Sequence, residues 1–175
     1  MRQINALTLA IVLVTLPLFG AKSSVHASDH GAVLAVLTVS GLISPRAEAD
    51  RDAEEVDFSI EDLEKLPQTE LRTHTDWTEG LQIFSGVLLK DLIEAVGASG
   101  KEIVARALND YAANIPVSDA YELSVLIAIK HNGQYMRIRD KGPLWIIYPS
   151  AQTSSSKVNP YNDRMVWQLS RLEFR

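Results

Sequence analysis

The stretch Lys141-Gly142-Pro143-Leu144-Trp145-Ile146-Ile147-Tyr148-Pro149 decides how this chain is read. Gly142-Pro143 is a turn signal and Pro149 a stop, and between them lies an unbroken apolar, β-prone run. A strand with one wet face alternates apolar and polar residues. This run does not alternate, so it predicts a strand buried on both faces. Such a strand needs neighbours, and the rest of the chain supplies them.

Downstream, Gln152 to Asn162 is a polar Ser/Asn/Pro loop and Met165 to Phe174 alternates as a final strand. Upstream, Ser124 to Lys130 and Gln134 to Ile138 flank His131-Asn132-Gly133, and Asn-Gly is a strong hairpin signal. Glu102 to Leu108 reads as a strand. Gly86 is expected to open a helix with Val87, Leu88, Leu92, Ile93 and Val96 on its apolar stripe and Gly97 past its end. Thr69 to Thr75 suits a strand. Ser59 with Asp62 three residues later forms a capping signal for a short helix closed by Pro67. Ala32 to Val39 reads as the first strand, broken at Ser40-Gly41, and Pro45 to Asp57 as a charged, exposed connection. The predicted fold class is α+β: mixed or antiparallel strands around a few short helices.

With 175 residues, there is room for one domain of about 100–150 residues and an appendage. The appendage is N-terminal. Arg2, the apolar run Ala6 to Phe19 and the small-x-small triplet Val25-His26-Ala27 have the form of an export signal over residues 1–27, leaving a single domain at 28–175. The apolar run is short of the roughly 20 residues that a membrane span needs. The expected location is therefore the periplasm, with no stable membrane insertion once the signal is removed. Loss of Arg2 and Lys22 leaves 15 basic against 22 acidic side chains, a net charge of −7. An acidic surface does not suit a phosphate backbone, so nucleic acid is not an expected partner. The chain contains no cysteine. It folds without disulfides and has neither a thiolate nucleophile nor a thiolate metal ligand.

Hydrolase, zinc-protease and phosphate-loop motifs are absent. What stands out is a set of aromatic and hydrogen-bonding side chains at segment ends. Thr75 and Trp77 lie where a strand gives way to a turn. Asp110 and Tyr111 follow the strand that ends near Leu108. Lys141 and Tyr148 bracket the buried run, and Arg164 opens the last strand. Indole and phenol rings offer flat faces for stacking, and a carboxylate accepts paired N–H bonds from a heterocycle. This combination suits a planar, nitrogen-rich ligand. Each residue taken singly also has a structural explanation.

FSGVLLKDLIEAVG, ALNDYAANIP, the HNG hairpin, KGPLWIIYP and RMVWQL, in that order, resemble the molybdopterin-binding domain of the sulfite oxidase family. The chain is most similar to that family's small exported members, from about Leu34 to Phe174. The resemblance implies a pterin-type cofactor, molybdopterin-like or a reduced pterin. It also implies, for small members without the metal-binding cysteine, a sensor or carrier that reports to the periplasmic domain of a membrane receptor controlling cyclic-di-GMP. Trp77 would stack on the ring and Asp110 would pair with its amino edge. Tyr111, Tyr148 and Arg164 would complete the polar contacts. Enzymes of the family hold molybdenum through a cysteine on the strand that here reads Arg72-Thr73-His74-Thr75, so molybdenum and catalysis are not expected. Two other readings stay open: an oxidoreductase holding a molybdenum cofactor through its dithiolene alone or through His74, and an interaction domain without a ligand.

Overall fold

The computed structural model describes residues 34–44, 54–150 and 159–175. The proposed export signal, its cleavage point, most of the Pro45–Asp57 connection and most of the Gln152–Asn162 loop lie outside the described residues. The fold is α+β, with two five-stranded sheets and three short helices among the described residues.

The first sheet runs β2 (Glu55–Phe58), β1 (Leu37–Gly41), β10 (Leu169–Phe174), β5 (Glu102–Ala107), β6 (Ala112–Pro116). β1 and β10 pair in parallel, and the other neighbours are antiparallel. The second sheet orders β3 (Gln68–Thr73), β4 (Gln82–Leu88), β7 (Leu126–His131) and β8 (Gln134–Tyr135), with β9 (Trp145–Ile147) also paired to β7. The Leu144–Tyr148 run is buried throughout, as its lack of alternation required. It also joins the two sheets. Ile146 N donates to the Val166 carbonyl, Leu169 N donates to the Leu144 carbonyl, and Trp145 bridges Trp167 just ahead of β10.

Helix α1 (Ile60–Glu64) carries the expected capping box. Asp62 N donates to Ser59 Oγ at 3.0 Å, and Ser59 N donates to the Asp62 carboxylate at 3.2 Å. Helix α2 (Leu89–Val96) buries Leu89, Leu92, Ile93 and Val96 and ends on Gly97 at φ 57°. Each fully buried Leu or Ile contributes about 1.5–3 kcal/mol of transfer free energy. Helix α3 (Val117–Glu122) follows β6 directly.

The structure corrects several boundaries. Gly86, Val87 and Leu88 belong to strand β4, and the helix starts at Leu89. The glycine serves strand packing: a Cβ there would lie 2.1 Å from the Ile127 carbonyl oxygen, beside a register shift between β4 and β7. β1 starts at Leu37 and runs through Ser40 and Gly41, because pairing to β10 continues there. Glu55 to Asp57 forms part of edge strand β2, whose polar side chains face outward. Arg137 leaves the hairpin, and a 3-10 turn at Ile138–Asp140 replaces the end of the expected strand. The final strand starts at Leu169, after the segment that pairs with β9.

Candidate functional site

β3 ends at Thr73, which is 1% exposed. Its hydroxyl accepts the Ser150 amide at 2.7 Å and donates to the His74 carbonyl at 3.3 Å. The chain then turns. Thr75 Oγ1 accepts the Trp77 amide at 3.3 Å and bonds Thr78 Oγ1 at 2.7 Å. That side-chain turn aims Trp77 at the other two tryptophans of the chain. Its ring meets Trp167 edge-on with centroids 5.3 Å apart, and lies tilted at 6.0 Å from Trp145. Trp145 is fully buried, and Trp77 and Trp167 are half-buried.

Trp77, Tyr111, Asn162, Asp163, Val166 and Trp167 line a cleft of about 360 Å³. That is within the usual size for a small-molecule site, as is the mix of aromatic walls and a few polar groups. Tyr111 is placed by the β5–β6 turn. Asp110 takes a left-handed conformation at φ 64°, Tyr111 N donates to Asn109 Oδ1 at 3.2 Å, and the Tyr111 phenol donates to the Asp163 carbonyl at 2.8 Å. The phenol thereby ties the β5–β6 turn to the 3-10 turn Asn162–Arg164, of which Asn162 and Asp163 line the cleft.

The seven residues singled out from the sequence fall into different places. Trp77 and Tyr111 reach the cleft. Thr75 supports the Trp77 turn from a buried position. Lys141 lies near the tryptophan cluster, with Nζ 5.6 Å from the Trp145 ring centroid and 5.9 Å from that of Trp167. Asp110 is exposed and does not line the cleft. Tyr148 and Arg164 do not line it either, and both donate to Asp119 Oδ2, at 2.8 and 2.7 Å. Asp119 is buried on α3. Burial, and then the Asp119 carboxylate, push the Tyr148 phenol far above its ordinary pKa. Tyr148 also stacks on Tyr161, with centroids at 4.8 Å.

Sequence reasoning missed Trp167, Asn162 and Asp119, while Asp163, read with Arg164 at the opening of the last strand, does line the cleft. Trp167 had a signal, since a second tryptophan at the mouth of a strand is as suitable for stacking as Trp77. The asparagine sits in a polar stretch that carries no pattern. Asp119 follows Pro116 in a helix too short to show a period.

The cleft passes one test for a flat heterocycle and fails another for thiolate-held molybdenum. Trp77, Tyr111 and Trp167 offer flat faces for stacking, with the polar Asn162 and Asp163 beside them. On the metal side, the chain has no cysteine, and no three His, Asp or Glu side chains converge among the described residues. The Thr73 hydroxyl is already held by Ser150 and His74. A hydroxyl is also a hard donor, unlike the soft thiolate it would replace.

The family model described as oxidoreductase molybdopterin binding domain matches residues 48–157. No curated protein matches the sequence.

Proposed function

We propose, from the premise that the chain belongs to the oxidoreductase molybdopterin-binding domain family, that it is a periplasmic pterin-binding protein. In this reading it works as a sensor or carrier and reports to a membrane receptor in cyclic-di-GMP signalling. One observation carries it: the cleft keeps aromatic walls and polar edges fit for a pterin, while the neighbouring strand offers threonine where a metal would need a thiolate. A bound pterin supplies a flat heterocycle with N–H donors at one edge. The chain's own residues would stack it on Trp77, with Tyr111, Asn162 and Asp163 around it. The export-like N-terminus supports the location, and the resemblance to small cysteine-free regulators supports the signalling role.

The test is a titration of the mature chain with tetrahydropterin under anaerobic conditions, followed by tryptophan fluorescence. All three tryptophans share one cluster at the cleft, so saturable quenching at one ligand per chain is expected. Absence of binding overturns the reading. The family's oxidoreductase description favours a second reading, a molybdenum cofactor held without cysteine. Elemental analysis of protein from its native host showing about one molybdenum per chain would put that reading first.

A further inference from the structure

Five of the six residues from Asn162 to Trp167 line the cleft, and Arg164 is the exception. Its guanidinium reaches instead to helix α3, where Nη1 donates to Asp119 Oδ2 at 2.7 Å. A charge-assisted bond to a buried carboxylate is among the stronger ties a side chain can make. This wall has little regular structure of its own: a 3-10 turn at Asn162–Arg164, then an irregular stretch up to β10. Backbone contacts from β9 hold Val166 and Trp167, and the Tyr111 phenol holds the Asp163 carbonyl. The remaining tie is Arg164 to Asp119. The same Asp119 oxygen accepts from the Tyr148 phenol at 2.8 Å. One oxygen therefore serves two donors: Arg164 belongs to the cleft wall, and Tyr148 is a fully buried residue that does not line the cleft.

We infer that Asp119 is a positioning residue of the cleft, which acts through Arg164 to hold the Asn162–Trp167 wall where it meets a ligand. The inference rests on the pterin-binding reading above. It gives Arg164 a role other than the direct ligand contact expected from the sequence. A binding constellation has to be held to within about 0.5 Å by groups locked behind it. Asp119 supplies such a lock from a different element of the fold.

The experiment measures tetrahydropterin affinity by isothermal titration, beside thermal unfolding, for the wild type and four variants. Arg164→Met keeps an apolar stem and loses the bond, and should weaken binding about tenfold. Asp119→Asn still accepts from Tyr148 but lacks the charge that holds Arg164, and should weaken binding about threefold or more. The double variant leaves neither charge stranded, and should bind no more weakly than Arg164→Met alone, because both changes break one link. Tyr148→Phe removes the other donor to the same oxygen and keeps the ring that stacks on Tyr161. It should lower Tm by about 2–4 °C yet bind within about twofold of the wild type. Loss of stability alone does not give that split between Arg164 and Tyr148. If Arg164→Met or the double variant binds as the wild type does, the wall stands without Asp119 and the inference falls while pterin binding stands. If Arg164→Met loses affinity and Asp119→Asn does not, Arg164 touches the ligand itself and the inference falls. It falls also if Tyr148→Phe loses as much affinity as Arg164→Met, since affinity then follows stability. If the wild type binds no tetrahydropterin, both readings fall.

Discussion

The Thr73 hydroxyl accepts the backbone amide of Ser150 at 2.7 Å, and so ties the end of β3 to the chain just past the buried β9 strand. The side chain is buried, and its oxygen also reaches the His74 carbonyl. Threonine here holds two strands of backbone together. Thr73→Ala is therefore expected to leave the Ser150 N–H without its acceptor and to cost about 1–2 kcal/mol. Thr73→Ser should restore most of the loss. Urea unfolding midpoints measure both. Pterin affinity should change far less than for substitution at Trp77. A large loss of affinity at unchanged stability would show that the hydroxyl faces the ligand.

Tyr148 and Arg164 converge on one oxygen of Asp119, and this network stands where the sequence suggested ligand contacts. Tyr148 has a folded-state pKa raised above that of a free phenol. Its protonated form therefore contributes stability that is fully present below about pH 10 and is lost as pH rises beyond it. In an alkaline titration followed by phenolate absorbance, Tyr148 should stay protonated until the protein unfolds. Tyr148→Phe should remove that late step. Asp119→Ala strands the Tyr148 hydroxyl and the Arg164 guanidinium together and should cost on the order of 2–3 kcal/mol. Asp119→Asn, which can still accept, should cost less. A Tyr148 that ionises while the protein is still folded would contradict this account.

How much was legible follows from where the physical signal is local. The β9 run could be read because burial on both faces removes alternation. The α1 cap could be read because Ser59 and Asp62 interact within three residues, and the hairpin because Asn132 and Gly133 both take positive φ. β4 was not legible: Val87 and Leu88 continue the apolar pattern of α2, and Gly86 is required by Ile127, about forty residues on. β2 was hidden because an edge strand with outward carboxylates at Glu55 and Asp57 shows little apolar pattern. The same division holds at the cleft. Aromatic residues at segment ends pointed to Trp77 and Tyr111. Which way Tyr148 and Arg164 turned depended on Asp119, and no local pattern links residues 29 and 45 positions apart.

Trp77 separates binding from packing most sharply. It lines the cleft and also meets Trp145 and Trp167, so one substitution touches both roles, and affinity read beside stability divides them. Stacking on a pterin contributes on the order of 1 kcal/mol beyond the area buried. With the lost apolar contact, Trp77→Ala should weaken tetrahydropterin binding by roughly 2–4 kcal/mol, about 30-fold or more. Some stability should be lost as well, because the edge of Trp167 is uncovered. Trp77→Phe keeps a flat face on the cleft while giving up ring area, so it should recover much of the affinity. Isothermal titration of both variants, with thermal unfolding alongside, decides the matter. If Trp77→Ala unfolds earlier yet binds tetrahydropterin as the wild type does, the indole is packing for the tryptophan cluster and the ligand stacks elsewhere, on Trp167 or Tyr111.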